Sequence, residues 1–478
     1  MDTKKLRQKI LDLAIHGKLV PQDPNDEPAS VLLERIRAEK EKLIKEGKIK
    51  APKKSKSASD TSHYPKEVPF EVPEGWVWCK ITDVVDKLTD GTHNSPKSYP
   101  SGDFMYVTAK NIKIKGIDLS NISYVTEEVH NEIYNRCNPE KGDILYIKDG
   151  ATCGVSTINN LDVEFSLLSS VALIKPNKNI INAYLNLFLQ SEFCYRNVRD
   201  SMKGVGITRI ILKQMELWDI PLPPYEEQKR IVSLAELLLL ATEGIEKEQA
   251  ELEKIIKQTK ERVLDLATHG KLVTQEPAEE PAIALLRRIN PAFVPAHNLH
   301  YEGELPNGWC FSTIGDLFQH NTGKALNGRD HHIGEELRYI TTSNLYWDRF
   351  DLTEVRTMAF TEAEKEKCRA TKGDLLVCEG GDIGRSAIWP YDYDVMIQNH
   401  IHRLRPKGNI SVRFYYYIFL LYKQMGLIGG KGIAILGLSS RELDKMVVPV
   451  PPVPEQHRIV TVIENLFAQM DALASNLS

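Results

Sequence analysis

Long hydrophobic runs are missing from this chain of 478 residues. No apolar stretch approaches the roughly 18 uninterrupted residues that a membrane-spanning helix needs, and the start, MDTKKLRQKILDL, lacks the apolar core and cleavage site of a signal peptide. The sequence therefore predicts a cytoplasmic protein. Cysteine is also scarce, because only seven are scattered from Cys79 to Cys378 and none forms a Cys-x-x-Cys pair. This pattern argues against a disulfide framework and a thiolate zinc site, and it predicts reduced, mostly buried thiols.

An excess of basic residues is missing as well. The formal net charge is −4, so the overall electrostatics do not indicate a nucleic-acid-binding protein. If DNA binds to this chain, a local patch must bind it. The content of 42% hydrophobic and 26% charged residues is typical of a globular protein, and the length predicts two or three domains.

An internal repeat is the strongest feature that is present. Residues 9–36, KILDLAIHGKLVPQDPNDEPASVLLERI, return at 262–289 as RVLDLATHGKLVTQEPAEEPAIALLRRI, with 18 of 28 positions identical. A second pair is PLPPYEEQKRIV and PVPPVPEQHRIV, and a third is the Pro-x-Gly-Trp motif that ends at Trp76 and at Trp309. The chain therefore consists of two related halves.

The order of the repeated blocks predicts the architecture. Residues 227–266 are polar and free of proline, with apolar residues at seven-residue intervals, which predicts one long helix of about 60 Å. The same helix starts at Glu455 and breaks off at the chain end, and the first residues of the chain match its missing half. We expect two antiparallel, coiled-coil-like helical spacers in a pseudo-twofold circular repeat. The alternative is a tandem duplication strung as beads, which would leave both apolar seams exposed.

The two stretches between the spacers predict α+β domains. Their alternating runs Asp143–Ile147 and Asp374–Cys378 indicate strands, whereas Ala183–Val198 and Val412–Met425 indicate helices. The predicted organisation is an N-terminal part of the split spacer (1–47), a flexible linker (48–67), a first domain (68–224), the central spacer (225–301), a second domain (302–452) and a C-terminal part of the split spacer (453–478).

These motifs, in this circular order, resemble the specificity subunits of type I restriction-modification systems. The resemblance covers essentially the whole chain, from LDLAIHGKLVPQDPNDEPA and its second copy to the Pro-Pro-x-x-Glu-Gln-x-x-Ile-Val helix starts. It implies that each α+β domain is a target recognition domain for half of a bipartite, asymmetric site in double-stranded DNA. It also implies that the helices bind two modification subunits, which hold S-adenosylmethionine and methylate adenine, and that restriction and motor subunits join them. The chain itself would then have no catalytic site and no cofactor.

A self-sufficient DNA methyltransferase is the main competing hypothesis. Leu222-Pro-Pro-Tyr225 resembles the Asp/Asn-Pro-Pro-Tyr loop of amino-methyltransferases, but leucine cannot accept the hydrogen bonds of the target amino group. Val450-Pro-Pro-Val453 lacks the tyrosine too, so both proline pairs are better explained as rigid helix starts. Neither a glycine-rich cofactor loop nor a P-loop occurs in the sequence. A third hypothesis is a helical scaffold whose domains bind protein instead of DNA.

Histidine pairs raise the question of a metal site. His331-His332 and His400-x-His402 are possible ligands, but no cysteine or carboxylate has a matching spacing, so contact with DNA or a structural role is favoured. His16 and His269 precede glycines at repeated helix ends, where they fit a helix C-terminal cap.

Candidate DNA-binding residues carry hydrogen-bond donors or acceptors and lie in turn-rich parts of the two domains. In the first domain they are Thr92, His93, Asn94, Lys97, Lys110, Asn111, Lys113, Lys148, Lys203 and Arg209. In the second domain they are Lys324, Asn327, Arg329, His331, Ser343, Asn344, Arg385 and Lys431. The Lys-Gly pairs at 203 and 431 occupy matching places, which suggests a shared phosphate contact.

Overall fold

A computed structural model describes residues 2–46, 68–200, 209–297, 304–325, 333–428 and 438–476. The predicted linker 48–67 lies outside these ranges. The chain divides into unit 1, Met1–Glu248, and unit 2, Gln249–Ser478. Within the described ranges, no helix is long and apolar enough to span a membrane.

Unit 1 contains seven helices of its own and the first part of an eighth within the residues described. The helices are α1 (Thr3–Ile15), α2 (Ala29–Lys45), α3 (Ile81–Val84), α4 (Glu127–Tyr134), α5 (Asn182–Gln190), α6 (Glu192–Asp200), α7 (Leu212–Met215) and α8 (Tyr225–Thr268). The strands are β1 (Val77–Lys80), β2 (Val85–Asp90), β3 (Phe104–Val107), β4 (Ile112–Lys113), β5 (Gly116–Ile117), β6 (Ser123–Val125), β7 (Ile144–Ile147), β8 (Ser156–Ile158), β9 (Phe165–Leu167), β10 (Val171–Pro176) and β11 (Asp219–Leu222).

The part of unit 1 from β1 to β11 is called the first globular domain below. An antiparallel sheet with the order β2-β10-β7-β8 forms its centre, and a second sheet has the order β6-β3-β9. Alternate residues of β7 point to opposite faces. Ile144 packs on the side of Phe188 in α5, whereas Leu145 packs on the side of Phe165 in the second sheet. All four residues of β7 are buried because both faces of this strand are covered.

Unit 2 repeats this arrangement. Its other helices are α9 (Ala282–Ile289), α10 (Ile314–Leu317), α11 (Glu362–Cys368), α12 (Val412–Gln424), α13 (Ser440–Asp444) and α14 (Val453–Ser475). Its strands are β12 (Cys310–Thr313), β13 (Phe318–Thr322), β14 (Glu335–Ile340), β15 (Leu345–Tyr346), β16 (Arg349–Phe350), β17 (Arg356–Phe360), β18 (Arg369–Ala370), β19 (Leu375–Cys378), β20 (Ser386–Ile388), β21 (Val395–Ile397), β22 (Ile401–Pro406) and β23 (Val447–Val450).

The part of unit 2 from β12 to β23 is called the second globular domain. Its central sheet β13-β22-β19-β20 has the same connectivity as β2-β10-β7-β8, and a neighbouring sheet has the order β17-β14-β21-β18. In both domains the first and last strands pair, as β1 with β11 and as β12 with β23. The two globular domains therefore share the strand order of their central sheets, and the mixture of helices and strands in each agrees with the predicted α+β class.

In each unit, α8 contacts and pairs with a helix near one end of the chain. In unit 1, Arg7 near the start of α1 lies 3.9 Å from Glu243, and Ile10 and Leu11 pack with Ile231 of α8. In unit 2, Lys260 of α8 lies 2.5 Å from Asp471, near the end of α14. These pairs bury part of the apolar seam. Completion of a split helix by the two chain ends, and the pseudo-twofold axis, stay predictions.

Most predicted elements are confirmed. Helix α8 covers the predicted 227–266 and, with 44 residues, extends about 66 Å at 1.5 Å per residue. The predicted single helix Ala183–Val198 is wrong, because Ser191 separates α5 from α6. The hydroxyl of Ser191 accepts a hydrogen bond from the backbone of Cys194, which is how a serine caps a new helix. All seven cysteines are buried thiols, as expected.

Candidate nucleic-acid interface and helical junctions

A buried carboxylate joins α8 to the start of the first globular domain. Glu227, which is 1% exposed, accepts a hydrogen bond of 3.0 Å from Trp76 Nε1 and another of 3.0 Å from Gln22 Nε2. Gln22 also donates to the carbonyl oxygen of Gly17 at 2.7 Å. Burial raises the pKa of Glu227 above its usual range, while the hydrogen bonds from Gln22 and Trp76 oppose this shift. We call Gln22, Trp76 and Glu227 the first junction.

The second junction repeats the first with Gln275, Trp309 and Glu455. Trp309 Nε1 donates to Glu455 Oε2 at 2.9 Å, and Gln275 Nε2 donates to Glu455 Oε1 at 3.1 Å and to the carbonyl oxygen of Gly270 at 2.6 Å. Burial raises the pKa of Glu455 in the same way. Three separate repeated sequence blocks therefore meet at one point in each unit.

Glycine is required at both junctions. Gly17 and Gly270 have φ values of 63° and 62°, in the left-handed region that side chains rarely adopt. A Cβ atom would lie 2.4 Å from Pro73 Cγ at the first glycine and 2.3 Å from Pro306 Cγ at the second. The preceding His16 occupies the C-cap of α1, and its Nδ1 lies 2.8 Å from the carbonyl oxygen of Asp12, which confirms the predicted capping role.

The Pro-Pro motifs immediately precede helices. Leu222 is buried at the end of β11, and Tyr225 is the first residue of α8. In the second copy, Val450 ends β23 and Val453 begins α14. The interpretation of these prolines as helix starts is therefore confirmed.

In each domain, a glycine in close contact with the backbone of a neighbouring strand directly precedes the first candidate DNA-binding residue. A Cβ atom at Gly91 would lie 1.9 Å from the carbonyl oxygen of Leu167, and one at Gly323 would lie 2.0 Å from that of Ile397. Only glycine fits at either position. The next residue in each domain, Thr92 or Lys324, starts the loop that follows β2 or β13.

Most of the candidates in the first globular domain lie at the surface. His93, Asn94, Lys97, Lys110, Lys113 and Arg209 are exposed, and Thr92 is half-buried. Lys113 donates to the carbonyl oxygen of Lys110 at 2.8 Å, so two of the candidates lie next to each other. Lys203 lies outside the described residues. Contact of this set with DNA stays a prediction.

Two candidates of the first domain need a correction, because the structure places them in the interior. Asn111 accepts hydrogen bonds from the backbone and hydroxyl of Thr108 and donates to the carbonyl oxygen of Asp118 at 3.1 Å, which closes a turn. Lys148 is 1% exposed, and its Nζ lies 3.2 Å from Asp90. Both side chains stabilise the fold and neither is available to a groove of DNA.

Asp90 is a residue that sequence reasoning missed. It is 2% exposed, and besides Lys148 it lies 3.3 Å from His93 Nε2 and 3.6 Å from Arg136 Nη2. Arg136 also donates to the carbonyl oxygens of Asp90 and Gly91. One buried carboxylate thus holds the loop that carries Thr92, His93 and Asn94. The sequence feature that could have indicated this role is an aspartate directly before a glycine at the end of a strand.

The candidates of the second globular domain divide in the same manner. Ser343 is exposed, but Asn344 is buried and donates to the carbonyl oxygens of Asp351 and Glu354, so it closes the same turn as Asn111 and also needs a correction. Lys324 is half-buried and bonded to Glu364 at 2.9 Å, which holds the pKa of that carboxyl below its usual range. Asn327, Arg329, His331 and Lys431 lie outside the described residues.

Arg385, the remaining candidate, belongs to a stacked cluster. Its guanidinium carbon lies 5.2 Å from the ring centroid of Tyr346, and that of Arg349 lies 4.4 Å from the same centroid. Arg385 Nη2 donates to the carbonyl oxygen of Thr342 at 2.6 Å, next to Ser343. We call Arg349, Tyr346 and Arg385 the arginine-tyrosine cluster. Of these three residues, only Arg385 was a candidate from the sequence, since the contacts of both arginines with Tyr346 depend on the packing of two β-hairpins.

The histidine pair at 400 and 402 does not form a common site. His402 is fully buried, with Nδ1 2.9 Å from His320 Nε2 and Nε2 2.7 Å from the carbonyl oxygen of Leu438. Both ring nitrogens of His402 therefore have protein partners, which is the structural role favoured above. His331 and His332 lie outside the described residues. Among the residues that are described, no three His, Cys, Asp or Glu side chains cluster so as to hold a metal ion.

Unit 2 should lose stability in acid because of His402. Burial, followed by the charge of His320, lowers the pKa of His402 to about 4. An unfolded histidine gains its proton near pH 6.5, so the stability contributed by neutral His402 is present above that pH and is lost as pH falls toward 4. Denaturant unfolding of unit 2 at about pH 5 should show a loss of about 2 kcal/mol relative to neutral pH. A His402→Gln variant should lack this loss, whereas a variant of the exposed His457 should keep it. Equal losses in both variants would contradict the assignment.

Comparison with known proteins identifies the family. A family model described as the type I restriction modification DNA specificity domain matches residues 73–254 and 306–477. The chain belongs to this family. Membership assigns the chain to DNA target recognition within a type I restriction-modification system.

Relatives of this specificity subunit match it along nearly its whole length. The specificity subunits of the type I restriction enzymes EcoEI and EcoAI, both from Escherichia coli, are each 26% identical to it. The alignments cover 99% and 98% of this chain and 90% of each relative.

Two solved structures share the fold. One comes from work on complex assembly and conformational transition of the type I R-M system, with a TM-score of 0.60, 18% identity, and coverage of 86% of this chain and 94% of the other. The other is the HsdS subunit of Thermoanaerobacter tengcongensis, with a TM-score of 0.52, 17% identity, and coverage of 86% and 93%.

Proposed function

We propose that this chain reads a bipartite, asymmetric site in double-stranded DNA and supplies no chemistry of its own. The first globular domain reads one half-site and the second reads the other. Partner subunits carry out adenine methylation or cleavage directed by the DNA site that the chain recognises. S-adenosylmethionine is held by the modification partner, and this chain holds no cofactor.

The contrast between the junctions and the domain surfaces carries this proposal. The junctions have the same three side chains and hydrogen bonds that differ by at most 0.1 Å. The surfaces differ. Because Asn111 and Asn344 make equivalent turn contacts, the hairpins β4–β5 and β15–β16 correspond, and their tips carry Lys115 in one domain and Asp348 in the other. Identical supports with unlike reading surfaces suit two identical partners and two different DNA sequences.

Exposed apolar residues on α8 support binding of protein partners to the spacer. Leu237 is 65% exposed and Leu240 is 71% exposed, three residues apart on the same helix face. Large apolar side chains grouped on a surface are typical of an interaction site. We assign the helical spacers to two modification subunits, which restriction and motor subunits then join.

The salt dependence of DNA binding tests the proposal against the scaffold hypothesis. The chain, in complex with its modification partner, should bind duplex DNA with an affinity that falls steeply as salt rises, since each neutralised phosphate releases counterions. Fluorescence anisotropy at several salt concentrations gives the slope of log affinity against log salt. Binding that does not respond to salt would favour a protein-binding scaffold. Methyl transfer by the purified chain alone, after complete removal of partners, would favour the methyltransferase hypothesis.

A further inference from the structure

We propose that Arg349 reads guanine in the half-site recognised by the second globular domain, and that Tyr346 and Arg385 position it. This inference rests on the proposed function, because it assumes that the domain binds DNA. It goes further by assigning a base and a residue. The arginine-tyrosine cluster was found from side-chain contacts, and Arg349 was not among the candidates selected from the sequence.

Contact with the Tyr346 ring restricts the position of the Arg349 guanidinium. Its guanidinium carbon lies 4.4 Å from the centroid of the Tyr346 ring, and Arg385 contacts the same ring. Arg385 is itself held by its hydrogen bond to the carbonyl oxygen of Thr342. An arginine that stacks on an aromatic ring keeps its planar group in a defined direction and loses less rotamer freedom when it binds.

The donors of Arg349 are available. The residue is exposed, and within the described ranges no carboxylate or carbonyl oxygen accepts a hydrogen bond from its guanidinium. Other arginines of unit 2 are engaged, such as Arg405 with Asp374 and Arg413 with Asp348. Arg349 therefore presents a charged group with available donors to the surface. Hydrogen bonds from Thr353 are the main cause of the lowered pKa of Asp351, and the charge of Arg349 adds to that shift.

The hairpin that carries Arg349 is held at both ends. Leu345 is fully buried, and Asn344 closes the preceding turn. At the tip, Asp348 has a φ of 57°, a strained value for a residue other than glycine. Its carboxylate binds Arg413, which also donates to Glu464 of α14 at 2.9 Å. A side chain on such a fixed backbone suits sequence reading, which requires exact placement of donors.

Guanine is the base that this geometry favours. A planar guanidinium can donate two parallel hydrogen bonds to O6 and N7 of guanine in the major groove, which is the commonest specific arginine contact with DNA. An arginine can also bind a phosphate with two hydrogen bonds, but such a contact does not depend on the identity of the base. Because Arg349 lies over the Tyr346 ring on a fixed hairpin, where its donors can be placed exactly, we assign it to base reading.

Among the described residues of the first globular domain, the positions equivalent to the arginine-tyrosine cluster carry other side chains. By position in the hairpins, Lys113 corresponds to Tyr346 and Gly116 to Arg349. Val155 corresponds to Arg385 because each accepts the equivalent backbone hydrogen bond. The carbonyl oxygen of Val155 accepts it from Ile147 at the end of β7, and that of Arg385 accepts it from Cys378 at the end of β19. The guanine preference should thus belong to one half-site only, and the other half-site serves as an internal control.

Methylation mapping tests the inference on the complete modification complex. We compare the wild type with Arg349→Ala, Arg349→Lys and Arg356→Ala, in which the last removes an exposed arginine from β17 of the same domain. The wild type should show guanine in the half-site of the second domain. Arg349→Ala should reduce the preference for that base pair by roughly tenfold to hundredfold and spare the other half-site. Arg349→Lys should keep part of the preference, because lysine can also donate to O6 and N7 of guanine but lacks the planar guanidinium. Arg356→Ala should behave like the wild type.

Several results would overturn the inference. An unchanged motif in Arg349→Ala would show that the residue does not read a base. A loss of affinity in Arg349→Ala that is equal for all base pairs at that position would show a phosphate contact instead. An equal loss in Arg356→Ala would show a general effect of charge. If the wild-type complex neither bound nor methylated any duplex, the proposed function would fail before this inference was tested.

Discussion

Replacing Asp90 by alanine is expected to lower the free energy of unfolding of unit 1 by about 3 to 5 kcal/mol, the usual cost of breaking a buried ion pair. Asp90 and Lys148 are 2% and 1% exposed, and their charged atoms lie 3.2 Å apart. Without the carboxylate, the Lys148 ammonium would be buried with no counter-ion. Hydrogen exchange of the β7 amides, followed in increasing denaturant, measures the loss within this domain.

An exposed ion pair of the same domain provides the matched control. Lys141 and Asp162 lie 2.6 Å apart, but their side chains are 57% and 75% exposed. Asp162→Ala should therefore cost less than about 1 kcal/mol. The double variant Asp90→Ala, Lys148→Met should recover most of the loss, because an apolar side chain of similar size needs no counter-ion. Equal effects of Asp90→Ala and Asp162→Ala would refute the burial argument.

Exchange of the first globular domain should switch one half of the DNA site completely. We would replace residues 68–224, which contain the first globular domain and the Pro-x-Gly-Trp motif before it, by the corresponding segment of a relative that recognises a different sequence. The donor must carry the Pro-x-Gly-Trp motif, so that its tryptophan can form the first junction with Glu227, as Trp76 does at 3.0 Å. Methylation mapping should then show the donor's half-site beside the original second half-site.

The reciprocal exchange of residues 302–452 controls for general damage to the protein. It should change the other half-site and leave the first one intact, since Trp309 and Glu455 form a separate junction within unit 2. Changes in both half-sites after either exchange would show that the domains do not read DNA independently.

The sequence was sufficient for the features that depend on local order and repetition. Helix α8 could be predicted because residues 227–266 contain no proline and carry apolar residues at seven-residue intervals. Both of its ends were predicted to within two residues. The histidine caps before Gly17 and Gly270 follow from local backbone preferences. The break at Ser191 was missed because an apolar pattern does not distinguish one helix from two that adjoin at a capping residue.

Candidate site residues were harder to assign because their exposure depends on distant parts of the chain. Asn111 and Lys148 have side chains typical of DNA contacts, yet Asn111 closes a turn and Lys148 neutralises Asp90, 58 positions away. Donor chemistry is visible in a sequence, whereas the partner that uses it is not. The same limit hid Arg349, whose orientation comes from a ring on the paired strand and from Arg385 on another hairpin.

The sequence by itself determined the two-fold repetition of the chain, the long central helix, the α+β class of both domains and the family, because repeats, periodicity and motif order are all properties of sequence position. Only the tertiary structure decided which polar side chains support the fold and which remain free at the surface. It brought Gln22, Trp76 and Glu227 to one point from three separate blocks. Burial and hydrogen bonding depend on contacts between residues far apart in the chain, and strand pairing and helix packing create those contacts only when the whole unit folds.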